Sequence, residues 1–252
     1  MQDRKLLNSS LVVIIGLLLV AGLSVNAAPL QSNQQLTEQE IIEILEKEST
    51  GNIADAVEEV TGERGFMYHD MKPVYESKIV GPAATAYLRP VLHTDTREYP
   101  NYALQILDEA EEGSILVYVL EDGLETAGIG DLMATTAKVR NLGGAVIDGG
   151  ARDVKDLREI DFPVFSRSIT PATSVGRYVS VAKQVPVKCA GVTVRPGDLI
   201  VGDLDGVVVV PREHAEQVVE KLRDYREKEE KMKPIIRETK SMLKALEIYG
   251  RY

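Results

Sequence analysis

The sequence predicts an α/β fold, a mixed sheet flanked by helices within a single domain. Three observations carry that prediction. The chain has 252 residues, 44% of them hydrophobic and 27% charged, which suits one large packed domain. Its 20 Gly, 11 Pro and single Cys exclude collagen-like, disordered and disulfide-scaffold classes. Between Ser114 and Ser166, continuous apolar runs alternate with helical segments, the pattern of βαβ units and a partly parallel sheet.

The elements follow in order. Thr37-Glu38-Gln39-Glu40 opens an amphipathic helix with a capping box between Thr37 and Glu40 and an apolar face of Ile41, Ile42 and Leu45. Ser49-Thr50-Gly51-Asn52 breaks it, and Asn52 is placed to cap a second helix over Ile53–Val60. Lys78–Leu88 reads as a strand and Tyr102–Ala110 as a helix ended by Gly113. Ser114–Leu120 is a buried strand, Asp131–Asn141 a helix, and Gly144–Ile147 a short buried strand. Asp153–Ile160 is a helix and Phe162–Ser166 a strand. Beyond Pro171 the chain turns to short strands, Tyr178–Val187, Gly191–Val194, Asp198–Gly202 and Val207–Val210. Arg195-Pro196-Gly197 and Asp205-Gly206 mark turns between them. Past Pro211 a charged helix carries the apolar stripe Ala215, Val218, Val219, Leu222 and Tyr225. Pro234 is expected to break or kink it before a last helix running to about Ile248.

The N-terminus is read separately. Arg4 and Lys5 precede an uncharged apolar run of 15 residues, Leu11–Val25, and small residues at 25 and 27 fit a signal-peptidase site after Ala27. At 1.5 Å per residue that run falls short of the ~30 Å hydrocarbon core. The expectation is a signal peptide over residues 1–27, a linker over 28–36, and a folded domain over 37–252 exported to the periplasm or medium. An N-terminal membrane anchor is the alternative. A lone Cys189 on a strand suits an exported chain as a buried structural thiol. The net charge of −10 argues against nucleic acid, which demands an excess of Lys and Arg.

Familiar catalytic signatures are missing: no nucleophile elbow, P-loop, dinucleotide fingerprint or zinc-type His/Cys spacing occurs. His69, His93 and His214 are scattered, and a His93–Asp95 pair reads as surface loop. The informative stretch is Ala127–Asp153. Gly128-Ile129-Gly130 leads into a helix near Asp131, whose first-turn amides over Gly130–Met133 make an anion site. The next strand ends in Asp148-Gly149-Gly150 and delivers Arg152-Asp153 to another helix start. Neighbouring parallel strands bring both helix N-termini to one end of the sheet, where ligands bind in α/β folds. Amides for a carboxylate, an Arg for developing negative charge and an Asp for a hard divalent ion then converge. Before any resemblance is considered, the favoured reading is that Asp131 and Asp153 are helix N-caps and Arg152 a surface residue.

This stretch resembles the RraA-like family, whose motif is G-x-x-x-D, 20 residues, then R-D. Here Asp131 is followed by 20 residues and then Arg152-Asp153. The resemblance covers roughly Ser49–Tyr252, including Ser49-Thr50-Gly51-Asn52, Val80-Gly81-Pro82-Ala83, Phe162-Pro163-Val164-Phe165 and Asp205-Gly206-Val207. Ala127 stands in place of the motif's first Gly, and an export signal departs from the family's cytoplasmic chemistry.

The resemblance implies an α/β sandwich assembled as a homotrimer or hexamer with active sites between subunits. It implies a metal-dependent (class II) pyruvate aldolase or oxaloacetate decarboxylase acting on a small 2-oxo acid such as 4-hydroxy-4-methyl-2-oxoglutarate or oxaloacetate. Gly130, Asp131, Leu132 and Met133 would bind the pyruvyl end, Arg152 would stabilise the enolate, and Asp153 would ligate Mg²⁺, Mn²⁺ or another divalent cation. Asp131 would serve the base, and Glu227, Glu229 or Glu230 would approach a neighbouring subunit's metal. The family also implies an alternative, a non-catalytic oligomeric binding or regulatory protein.

Overall fold

The computed structural model describes residues 36–250. The expected signal peptide and all of the expected linker except Leu36 lie outside the described residues. Helix α1 (Glu38–Leu45) starts at the expected capping box: the Thr37 hydroxyl accepts from the Glu40 N–H, and the Glu40 carboxylate accepts from the Thr37 N–H at 2.8 Å. Helix α2 (Thr50–Thr61) starts earlier than its sequence suggests. Its cap is Ser49, whose hydroxyl accepts from Asn52 N–H at 3.3 Å, so Asn52 lies inside the helix. The cause is long-range: the Asp203 carboxylate accepts from the Thr50 amide at 2.9 Å and hydroxyl at 2.6 Å, fixing the first turn.

The chain continues through β1 (Lys72–Pro73), β2 (Ile79–Pro90), α3 (Tyr102–Glu109), β3 (Ile115–Leu120) and β4 (Ala127–Ile129). Next come α4 (Asp131–Val139), β5 (Gly144–Ala151), α5 (Val154–Glu159) and β6 (Val164–Ile169). Short strands follow: β7 (Tyr178–Lys183), β8 (Val187–Cys189), β9 (Val192–Val194), β10 (Leu199–Asp203) and β11 (Gly206–Val210). Helices α6 (Ala215–Thr239) and α7 (Met242–Tyr249) end the described chain.

The large sheet runs β1-β6-β5-β3-β2-β10-β11. Strands β2, β3, β5 and β6 are parallel neighbours, while β1, β7, β10 and β11 pair antiparallel. Two long strands exchange partners along their length. On one edge of β2, β10 pairs up to Pro82 and β7 takes over from Ala86. On one edge of β5, β3 pairs up to Asp148 and β4 takes over at Gly150. Residues 65–73 carry the sheet back on itself. Gly65 accepts from Val209 N–H and Met67 donates to Val207 C=O, each at 2.9 Å, before β1 pairs with β6. The mixed sheet is thereby nearly closed.

Apolar side chains sort into three cores. Inside the curled sheet, Ile115, Val117, Val119, Val146, Phe165 and Ile200 pack with Val187, Cys189 and Val194 of the β8–β9 hairpin. Outside it, α3, α4 and α5 cover Leu116, Tyr118, Leu120 and Ile147. Helices α1, α2 and α6 cover Leu199, Val201, Val208 and Val210. Strand β3 reads as an unbroken apolar run because its alternate residues feed two cores, leaving none for water.

Four local readings are corrected. Strand β5 extends past Ile147 to Ala151 because β4, three residues long and unpatterned, supplies a new partner. The segment 178–187 divides where Gln184 adopts φ 51° and Pro186 offers no amide, so Val187 pairs with Val194 instead of β2. Lys72–Pro73 forms a strand where none was expected. Pro234 lies inside α6, which ends six residues later at Lys240 with φ 53°. The carbonyl that Pro234 leaves unpaired belongs to exposed Glu230, within reach of water.

Candidate active site

Strands β4 and β5 run parallel, and each ends at a helix N-terminus. Their ends are stitched together, with Gly150 N–H donating to Thr126 C=O at 2.9 Å and Arg152 N–H to Ile129 C=O at 3.1 Å. The turn at Gly130 and the Arg152-Asp153 pair therefore meet, as the spacing predicts. Asp153 Oδ2 accepts from the Asp131 N–H at 3.1 Å and lies 3.3 Å from Arg152 Nε. A Cβ at Gly130 would sit 2.5 Å from that Asp153 oxygen and 2.9 Å from Arg152 Nε. Any side chain there would displace the two folded over it, whereas the backbone, with φ −147°, is open to any residue.

This geometry departs from ordinary capping. Asp131 is the first residue of α4, whose N-cap is Gly130. Asp153 holds the N-cap position of α5 in a left-handed conformation, φ 58° and ψ 36°, without capping that helix through its side chain. It reaches across to α4 instead. A non-glycine residue held in that region costs of order 1 kcal/mol and persists where surrounding structure fixes it.

The amides of Leu132 and Met133, in the first turn of α4, have no acceptor among the described residues. The Asp131 amide, by contrast, is already engaged. Arg152 and Asp153 side chains are 37% and 32% exposed, open to a small solute yet partly shielded from bulk water. Leu132 is 75% exposed. A cleft of about 280 Å³ opens beside this turn, lined by Gly128, Met133, Leu104, Tyr99, Val175 and Tyr178.

The donor set fits a hard divalent ion that keeps most of its waters. Among the described residues no three His, Cys, Asp or Glu side chains cluster to hold a metal. Asp153 Oδ1 and both carboxylate oxygens of Asp131 take no hydrogen bond or ion pair among those residues. Sparse carboxylate ligation completed by water is how Mg²⁺ is usually bound.

Other sequence candidates lie elsewhere. Glu227 pairs with Lys231, and Glu229 pairs with Lys233 and accepts from Asn52, all within one subunit. Glu230 is exposed. Asp95 pairs with Arg97 and accepts from Tyr99, which leaves no pair with His93. His214 bonds Gln217. Cys189 is buried, its sulfur 3.9 Å from that of Met67, and burial pushes its thiol pKa well up. Spacing places Asp148 at a strand end. The structure puts it within β5, paired with Arg167 at 3.0 Å. The Asp-Gly-Gly interruption of an apolar strand was the available signal.

A nearly closed mixed sheet, with this turn at the ends of two parallel strands, defines a family of small α/β proteins. The model of the RraA-like family, described as Aldolase/RraA, matches residues 50–209, and the chain belongs to that family. A Halalkalibacterium halodurans protein provisionally named as a 4-hydroxy-4-methyl-2-oxoglutarate aldolase is 34% identical over 68% of this chain and 76% of its own length. The uncharacterized protein MJ0644 of Methanocaldococcus jannaschii is 37% identical over 52% of this chain, and the match spans only 62% of that relative. Among solved structures, an uncharacterized Pseudomonas syringae protein superposes with a TM-score of 0.76 at 29% identity, covering 84% of this chain and 95% of the other. Streptomyces coelicolor RraAS2, described as an unusual member of the RNase ES inhibitor RraA protein family, gives 0.69 at 30% identity over 77% and 96%.

Proposed function

We propose that this protein is a divalent-metal-dependent carbon–carbon lyase, an aldolase or decarboxylase that releases pyruvate from a small 2-oxo acid. The observation that carries this reading is the meeting of Asp131, Arg152 and Asp153 around Gly130. The free amides of Leu132 and Met133 receive the substrate carboxylate at the positive end of α4. Arg152 faces the keto oxygen and stabilises the negative charge that grows on it as the bond breaks. In retro-aldol cleavage, Asp131 serves as acceptor for the proton leaving the distal hydroxyl, and the C–C bond then breaks to leave pyruvate enolate and a carbonyl product. In decarboxylation CO₂ departs instead, and the same enolate is left beside Arg152. A divalent ion held by Asp153, Mg²⁺ or Mn²⁺, supplies an electron sink when bound.

Assembly as a trimer or hexamer, with Glu227, Glu229 or Glu230 of a neighbour approaching the site, belongs to the same proposal. So does export directed by residues 1–27. A second reading, a non-catalytic oligomeric binding or regulatory protein, draws support from the similarity to RraAS2.

Pyruvate release separates the two. The purified protein is given oxaloacetate or 4-hydroxy-4-methyl-2-oxoglutarate with Mg²⁺ and then EDTA, and pyruvate is followed through lactate dehydrogenase. The lyase reading expects metal-dependent pyruvate that is absent from the Asp153→Ala protein. Saturable binding of oxalate with no turnover of either substrate favours the binding protein.

A further inference from the structure

Four residues before Arg152, strand β5 carries a β-bulge. Ile147 pairs with Ser166 of β6, and the next pair is Gly150 with Ser168. Asp148 and Gly149 therefore both stand opposite the single residue Arg167. The inserted residue advances everything beyond it by one position relative to β6, and the strand ends at Ala151, immediately before Arg152-Asp153. At the same point β5 changes partner from β3 to β4, the strand that leads into Gly130. Bulges beside active sites commonly re-aim the side chains that follow. Arg152 and Asp153 follow this one in the chain, and the Gly130 turn follows β4, which pairs with the part of β5 beyond it.

The bulge is held by charge. Arg167 Nη1 donates to Asp148 Oδ1 at 3.0 Å, joining the bulged residue to the residue it opposes. Asp148 Oδ2 accepts from the Ala190 N–H at 2.6 Å, fixing the same carboxylate to the β8–β9 turn. The rest of the guanidinium is committed to Asp70, with Nε and Nη2 donating at 2.9 to 3.1 Å. The Tyr68 ring lies 5.3 Å from the guanidinium carbon. Arg167 and Asp148 are 20% and 14% exposed, so their pairing is little screened by water. Downstream there is no slack. A Cβ on Gly150 would lie 2.5 Å from Thr170 Cγ2 and 3.0 Å from Thr126 O.

We infer that Asp148 and Arg167 are positioning residues for the lyase site, setting the register of β5 that brings Arg152 and Asp153 onto the Gly130 turn. This inference rests on the lyase reading for its kinetic consequence alone. Neither residue is assigned a contact with substrate. Asp70 supplies the control. It grips the same arginine from the other side and touches neither the bulge nor β4. A merely stabilising network treats the loss of Asp70 and of Asp148 alike, whereas a positioning device distinguishes them.

The test compares Asp148→Asn, Arg167→Lys and Asp70→Asn with the unaltered protein in pyruvate release and thermal unfolding. Misplacing catalytic groups by about 1 Å can cost on the order of 10²-fold in rate. Asp148→Asn and Arg167→Lys are therefore expected to lower kcat by roughly tenfold or more, with KM within about twofold. Asp70→Asn is expected to keep kcat within about twofold while losing comparable thermal stability. Equal kcat losses for Asp70→Asn and Asp148→Asn, or unchanged kcat in Asp148→Asn, overturn the inference. If the unaltered protein releases no pyruvate, the lyase reading fails and the crystal structure of Asp148→Asn decides. Loss of the Asp131 N–H to Asp153 bond there supports the positioning role, and its retention refutes it.

Discussion

At Gly130, a missing side chain is what lets two others arrive. A methyl group there collides with the Asp153 carboxylate and the Arg152 guanidinium, both of them movable side-chain ends and neither of them backbone. Gly130→Ala is thus expected to leave the melting temperature nearly unchanged while pyruvate release falls by about 10²-fold, from displacement of those groups. An active Gly130→Ala protein would remove the site from this turn. Arg152→Ala is expected to cost ~10²–10³ in kcat, the usual loss when one preorganised charge stabiliser is removed. Much of this site is legible in the sequence. The spacing of Asp131 to Arg152-Asp153 places all three at one end of a parallel sheet. The reach of Asp153 across to the Asp131 amide is not legible, because it depends on β4, a three-residue strand with no periodicity to read.

Among the elements, α2 shows how a distant residue overrides a local signal. Asn52 is a good cap by type, yet Asp203 seizes the Thr50 amide and hydroxyl and begins the helix earlier. Asp203→Ala is expected to destabilise the protein by about 1–3 kcal/mol, read as a lowered denaturation midpoint, with kcat of the folded fraction intact. The Asp70–Arg167 link makes a prediction in pH. The guanidinium beside Asp70 holds its carboxyl below the ordinary value of 3.8. A depressed folded-state pKa contributes stability above the unfolded value, and that contribution is lost as pH falls through the folded one. The melting-temperature gap between the unaltered protein and Asp70→Asn is therefore expected to shrink as pH drops below about 4. A gap that stays constant down to about pH 2.5 would show that Asp70 acts through something other than its charge. Pro234 does not break α6: the helix loses one backbone bond there, to the carbonyl of exposed Glu230, and continues to Thr239.

For the whole molecule, the class of fold follows from the alternation of apolar runs with helices, since strands such as β3 must feed a core on each face. The near-closure of the sheet is not readable in the same way. It is made by residues 65–73, whose backbone pairs with β11 and then β6 without an alternating pattern to announce it. Leu132, 75% exposed at the rim of the candidate site, is the kind of residue a neighbouring subunit would cover. Light scattering after gel filtration is expected to give three or six times the chain mass, and a monomer would remove the inter-subunit part of the proposal.

The buried sulfur of Cys189 has a use that its chemistry alone does not suggest. It sits inside the curled sheet on the β8–β9 hairpin, with its thiol kept protonated by burial. A thiol reagent reaches it when that hairpin swings away from β2 and β3, so the labelling rate becomes a stopwatch for opening of the barrel-like interior. No probe need be engineered into the chain: the protein carries its own reporter at the centre of the structure that Asp148, Arg167 and Ala190 hold together.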